Sequence, residues 1–96
     1  MKFNIPNTVL SEIRLFAKIH NIERVILFGS RARGDYTDRS DIDIAVYGGD
    51  FNGFFWDIKE KTHSLLMFDV VDMNRKISDE LQNIISKEGI AIYEKA

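Results

Sequence analysis

Val9, Ile13, Phe16, Ala17 and His20 recur three and four residues apart, the spacing that turns one face of a helix toward a core. This predicts a first helix from about residue 7 to His20, with Asn7 or Thr8 available as its cap. The short β-branched run Val25 to Phe28 stops at Gly29, as a buried strand would. A second strand is expected from Asp41 to Val46. Between Asn52 and Leu66, the positions Phe55, Ile58, Thr62, Leu65 and Leu66 suit the inner face of a helix, with Lys59, Glu60 and His63 toward water. Met67 to Met73 reads as a third strand. Ser78 can cap a last helix whose inner face is Leu81, Ile84 and Ile85, with Gly89 just past its end. Ile90 to Tyr93 closes the chain as a short strand. Helices and strands alternating in this way predict an α/β (α+β) fold, a small mixed β-sheet covered by helices. The order of the strands within the sheet is not written in the pattern.

Composition narrows the setting. The 96 residues suffice for one core, and no repeat, Pro-rich linker or block of like charge divides them, so a single domain over 1–96 is expected. Hydrophobic residues at 45% and charged residues at 29% are ordinary globular usage. No apolar run approaches the roughly 20 residues needed to span a bilayer, and MKFNIPNTVL lacks the build of a signal peptide, so a cytoplasmic protein without membrane partners is expected. There are no cysteines, so a metal would be held mainly by oxygen, with Mg²⁺ the natural candidate. A formal net charge of -2 does not favour a nucleic-acid partner.

Two segments carry candidate chemistry. In Leu27-Phe28-Gly29-Ser30-Arg31-Ala32-Arg33-Gly34 a strand runs into a turn or short helix, where Gly29 permits close backbone approach and Ser30 is a good cap. Exposed amides and a hydroxyl at such a turn can cradle phosphate oxygens. After ten intervening residues, Ser30 is followed by Asp41-Ile42-Asp43-Ile44. Alternation along a strand sends Asp41 and Asp43 to one side and Ile42, Ile44 and Val46 to the other. Neighbouring carboxylates repel each other unless a cation neutralises them, and Mg²⁺ commonly takes one or two carboxylates together with substrate phosphates. A third carboxylate is needed to complete a two-metal site and accept a proton. Asp69 and Asp72 are the candidates, and strand parity allows only one of them. Asp72 stands near the strand end beside Asn74, where a turn role is ordinary, whereas Asp69 sits within an apolar strand where an unpaired charge is costly; Asp69 is therefore the expected residue.

Gly29-Ser30, ten residues, then Asp41-x-Asp43, followed by an acidic strand after an intervening helix, resembles the DNA polymerase beta nucleotidyltransferase superfamily. Within it the chain is similar to the minimal nucleotidyltransferases of bacteria and archaea, from about Ile22 to Tyr93 and including Ile84, Gly89, Ile90 and Tyr93 near its end. The resemblance implies a polymerase beta-like fold and transfer of a nucleoside monophosphate from ATP or another nucleoside triphosphate. It implies that Gly29 and Ser30 hold the triphosphate, that Asp41 and Asp43 bridge two Mg²⁺ ions, with Mn²⁺ as an alternative, and that Asp69 binds one ion and helps to deprotonate the acceptor. Arg31, Arg33 and Ser40 lie where they could reach phosphate oxygens.

Larger members of that superfamily carry a helical acceptor-binding domain after the catalytic unit, so the acceptor here is expected to come from a partner. The resemblance implies the antitoxin half of a two-component system, paired with a helical HEPN-type RNase that it inactivates by transferring AMP to a tyrosine; assembly as a homo- or hetero-oligomer is a separate expectation. In Phe51, Phe54, Phe55 and Trp56, helical geometry forbids the last three from facing one core together, so at least one is expected at the surface. His20 and His63 belong to no ligand-spaced cluster, and Tyr36 either stacks on a base or is a loop aromatic. The alternatives are an antitoxin that binds nucleotide but neutralises by complex formation alone, a transferase acting on an aminoglycoside or a nucleic-acid 3′ end, and a structural domain with acidic decoration.

Overall fold

In the computed structural model, which describes residues 3–96, one mixed four-stranded sheet is covered unequally on its two faces. The first two positions of the expected 1–96 domain lie outside the described residues. In chain order the elements are α1 (Asn7–Ile19), β1 (Arg24–Phe28), α2 (Ser30–Arg33), β2 (Ile42–Tyr47), α3 (Phe51–Lys61), β3 (Phe68–Asp72), α4 (Asp79–Glu88) and β4 (Ile90–Glu94). The sheet order is β3-β2-β1-β4; β1 runs antiparallel to both β2 and β4, and β2 runs parallel to β3. The parallel pair needs a crossover, and α3 supplies it.

Strand alternation assigns the faces. Val25 and Leu27 of β1, Ile42, Ile44 and Val46 of β2, Phe68 of β3 and Ile92 of β4 pack with Val9, Ile13, Phe16 and Ala17 of α1 and Phe54 and Ile58 of α3. On the reverse face Phe28, Ala45 and Ile85 form a much smaller cluster, bordered by Ile26, Val71 and Leu81. The first face holds the main core; the second, covered by α4, leaves room beside it.

Element order follows the expectation, but several boundaries differ for identifiable reasons. α1 begins after Pro6, and neither Asn7 nor Thr8 caps it through a side chain; proline presets the entry dihedral and no hydroxyl is needed. α3 is capped by Asp50, whose carboxylate accepts the Gly53 N–H at 3.2 Å, and it stops at Lys61 because Thr62 is extended. Leu65 therefore stands in solvent, and the inner face is Phe54 and Ile58, not Phe55. Phe55 is half-buried and Trp56 exposed at 57%. Ser78 does cap α4, its hydroxyl accepting the Leu81 N–H at 3.2 Å, and Asp79 and Glu80 follow where the helix dipole favours acids. Ile85 is buried, whereas Ile84 is exposed. Gly89 follows α4 as expected but in an extended conformation, φ -66°; a Cβ there would overlap the Ile85 carbonyl and the Ile26 side chain, and this lack of space accounts for the glycine.

Candidate active site

The site is assembled where β1 ends above the acidic end of β2. Gly29 adopts φ 76° and ψ -159°, a conformation open almost only to glycine, and a Cβ there would overlap the Asp43 carboxylate. The Gly29 carbonyl then accepts the Ala32 and Arg33 N–H groups at 3.0 Å each, starting α2, and Gly34 ends it with φ 98°. Gly29, not Ser30, occupies the cap position. Ser30 is the first helical residue and makes no capping hydrogen bond.

Arg31 is turned inward and is not available to phosphate, contrary to expectation. It is 3% exposed; its Nε donates to the Ser40 carbonyl at 3.0 Å, Nη1 to the Asn4 carbonyl at 2.8 Å, and Nη2 to the Thr37 and Asp38 carbonyls at 3.4 and 3.3 Å. Tyr36 lies over the guanidinium at 5.0 Å. A buried cation requires such satisfaction, and the planar fork with five donors provides it without a carboxylate. The consequence is a fastened 35–40 loop, which delivers Ser40 and Asp41 to the start of β2. Ser40 Oγ accepts the Thr37 N–H at 2.8 Å within that loop.

The acids divide by position. Asp41 precedes β2 and is exposed. Asp43 lies within β2, opposite Phe28 on one side and beside Asp69 on the other. Because adjacent residues of parallel strands in register share a face, Asp69 stands with Asp43 on the α4 side. Asp72 is paired with Val46 and therefore belongs to the opposite face, where its carboxylate accepts the Asn74 N–H at 3.0 Å and meets Arg75 Nε at 3.4 Å. Asp69 is exposed, so avoidance of a buried charge does not distinguish it; the register does. Burial, then the charges of Asp69 and Asp41, push the Asp43 carboxyl up to about 6, opposed by Arg33 and helped by Glu88. This is the response of crowded, partly desolvated carboxylates whose repulsion Arg33 offsets only in part.

Glu88, at the end of α4, was not legible as a site residue. Its Oε1 accepts the Gly29 N–H at 2.9 Å, and its two oxygens lie 3.2 and 3.1 Å from Arg33 Nη1. Arg33 also donates to Asp35 at 3.2 Å and remains about half exposed. The one local signal in the sequence was an acid in the last turn of a helix, where the dipole disfavours it.

Gly29, Ser30, Arg33, Ser40, Asp41 and Asp43 line an open groove of about 520 Å³, with Leu81, Ile84 and Glu88 forming the α4 wall. Asp69 adjoins the groove through Asp43 and is not part of its lining. Among the described residues no three or more acids or imidazoles form a ready-made ligand cage. The donor set nevertheless fits a hard divalent ion that keeps waters and takes substrate oxygens, because it offers carboxylates in excess of their counter-charge. His20 is committed to Asp57 at 2.7 Å and Asp50 at 3.5 Å, and His63 to Glu12 at 2.7 Å. No helix among the described residues is long and apolar enough to cross a membrane.

A Gly turn is thus pressed onto a β-strand carboxylate, with a second acid in register beside it. The family model described as "Polymerase beta, Nucleotidyltransferase" matches residues 12–96, and the chain belongs to this family of nucleotidyltransferase enzymes. It is 39% identical over 82 residues, 75% of this chain and 79% of the relative, to a Methanocaldococcus jannaschii protein to which protein adenylyltransferase activity is ascribed. Among solved structures, a toxin–antitoxin crystallised with AMP-PNP superposes with a TM-score of 0.70 at 26% identity, over 90% of this chain and 73% of the other. A mutant of the toxin–antitoxin MntA–HpeT gives 0.69 at 24% identity over the same shares, a likeness of fold.

Proposed function

We propose that this chain is a protein adenylyltransferase that moves AMP from ATP to a tyrosine hydroxyl of a helical HEPN-type toxin and thereby acts as its antitoxin in the cytoplasm. The observation that carries the reading is the register pair Asp43 and Asp69 beneath the Gly29 turn, with the Asp43 carboxyl pushed up to about 6. Crowded carboxylates beside a groove lined by Gly29, Ser30 and Arg33 suit a polyphosphate that arrives with divalent cations. The likeness to a protein adenylyltransferase and to a toxin–antitoxin with AMP-PNP supports the choice of ATP and of a protein acceptor.

Asp41, Asp43 and Asp69 would hold two Mg²⁺ or Mn²⁺ ions. When bound, such ions supply the positive charge that lets an anionic phosphate be attacked and steady the departing pyrophosphate. Gly29 and Ser30 offer backbone and hydroxyl donors to the phosphates, with Arg33 and Ser40 at the groove's rim. The acceptor oxygen forms a bond to the α-phosphorus as the bond to the β-phosphate bridging oxygen breaks. Asp69 takes the acceptor proton, and pyrophosphate leaves with the electron pair. The protein's share is positioning and charge placement.

The test is to incubate the chain with ATP, Mg²⁺ and its co-purified partner and to measure intact and peptide masses. A partner tyrosine should gain the mass of one AMP, and the Asp41→Asn, Asp43→Asn double variant should not produce it. A tight complex in which the partner gains no mass with any nucleoside triphosphate would instead establish neutralisation by binding alone.

A further inference from the structure

The site contains an acid that its catalytic role does not require. Glu88 ends α4, where the helix dipole is unfavourable to negative charge, and it adds to the repulsion already felt by Asp43. Its side chain is nonetheless largely buried, at 18% exposure, and engaged on both sides by donors. Those donors are the Gly29 N–H, at 2.9 Å, and Arg33 Nη1, at 3.1 Å. Both belong to residues that line the groove, and both are the kind of donor an incoming phosphate oxygen would use.

We infer that Glu88 is an internal anion that occupies the phosphate-binding donors of the groove and sets nucleotide affinity by having to be displaced. The inference rests on the nucleotide-binding reading of the groove. In the free protein the carboxylate keeps the Gly29 amide and the Arg33 guanidinium satisfied, so a partly buried donor is not left unpaired. A triphosphate that brings its own counter-ions offers more oxygens to the same donors. Glu88 then turns toward solvent, relieving both its position at the helix end and its repulsion of Asp43. The displacement weakens binding of every ligand that needs these donors and leaves phosphate-free ligands unaffected.

The test compares wild type with Glu88→Gln and Glu88→Ala by calorimetric titration with ATP plus Mg²⁺, with inorganic tripolyphosphate plus Mg²⁺, and with adenosine. Asp35→Asn is the charge control, because Asp35 also pairs with Arg33 but does not touch the Gly29 amide. Glu88→Gln preserves an acceptor for the Gly29 N–H, so it should remain folded even if Glu88→Ala does not. Removing the charge-assisted contacts should tighten ATP and tripolyphosphate by about tenfold, clearly more than Asp35→Asn does, with adenosine unchanged. Equal or weaker binding by both Glu88 variants, against measurable binding by wild type, would overturn the inference and make Glu88 a support of the Gly29 turn. Equal tightening by Asp35→Asn would also overturn it, as an effect of net charge. If neither wild type nor any variant binds ATP with Mg²⁺, the nucleotide reading itself fails and takes this inference with it.

Discussion

Asp43→Asn should stabilise the metal-free fold at neutral pH while removing transfer. The folded-state carboxyl is pushed from its ordinary 3.8 up to about 6, first by burial and then by Asp69 and Asp41. The folded protein therefore holds this proton more tightly than the unfolded chain does. As pH rises, the unfolded chain releases the proton first, so Asp43 lowers stability progressively between about pH 4 and 6 and most fully above that. A tenfold difference in proton affinity corresponds to about 1.4 kcal/mol, and the difference of roughly a hundredfold here sets an upper limit of roughly 3 kcal/mol at pH 7. Allowing for partial solvation, the working range is ~1–3 kcal/mol. Asparagine keeps the shape and loses the charge. Urea denaturation in EDTA at several pH values from about 4 to 7.5 should show the variant and wild type converging at the acid end and separating in favour of the variant toward neutrality. Taking the difference cancels Glu12 and Asp57, whose carboxyls are held low by His63 and His20 and titrate similarly in both proteins. A variant less stable than wild type at pH 7, or a difference independent of pH, would refute the argument that these acids are crowded beyond what Arg33 offsets.

Two further substitutions test how the site is held. Gly29→Ala forces a Cβ into a conformation nearly closed to other residues and against the Asp43 carboxylate, so it should lower stability by at least ~1–3 kcal/mol and abolish transfer, measured by denaturation and by label incorporation. Arg31→Lys replaces a fork that meets four carbonyls by a single ammonium, and it should cost roughly 2–4 kcal/mol in urea denaturation despite the conserved charge. Stability within error of wild type in either variant would contradict the corresponding contact.

Periodicity made the element order legible because most helices and strands here carry an apolar face of the right repeat. It failed for residues 62–66, where Leu65 and Leu66 continue a helical pattern that Asp50 had already placed one register earlier, with Phe54 and Ile58 inward. The close approach of Gly29 to Asp43 depends on the antiparallel register of β1 and β2, which local patterns do not encode. The side-by-side placement of Asp43 and Asp69 depends likewise on the parallel register of β2 and β3. Arg31 and Arg33 are two residues apart on one short helix, yet one is buried under the loop and the other lies on the groove; only tertiary contacts separate them. Glu88 meets Gly29 across 59 positions; an acid in the last turn of a helix is a local oddity, but it does not name the partner.

Transfer of a nucleoside monophosphate by the acids on the α4 face of the sheet is tested most directly by following ATP labelled at the α- or the γ-phosphate. The reaction contains Mg²⁺ and the partner, with wild type, Asp69→Asn and Asp72→Asn compared. The α-label alone should be incorporated into the partner, Asp69→Asn should lower incorporation by a factor of about a hundred or more, and Asp72→Asn should retain most of it. Incorporation of γ-label, or loss of transfer in Asp72→Asn but not in Asp69→Asn, would contradict the assignment.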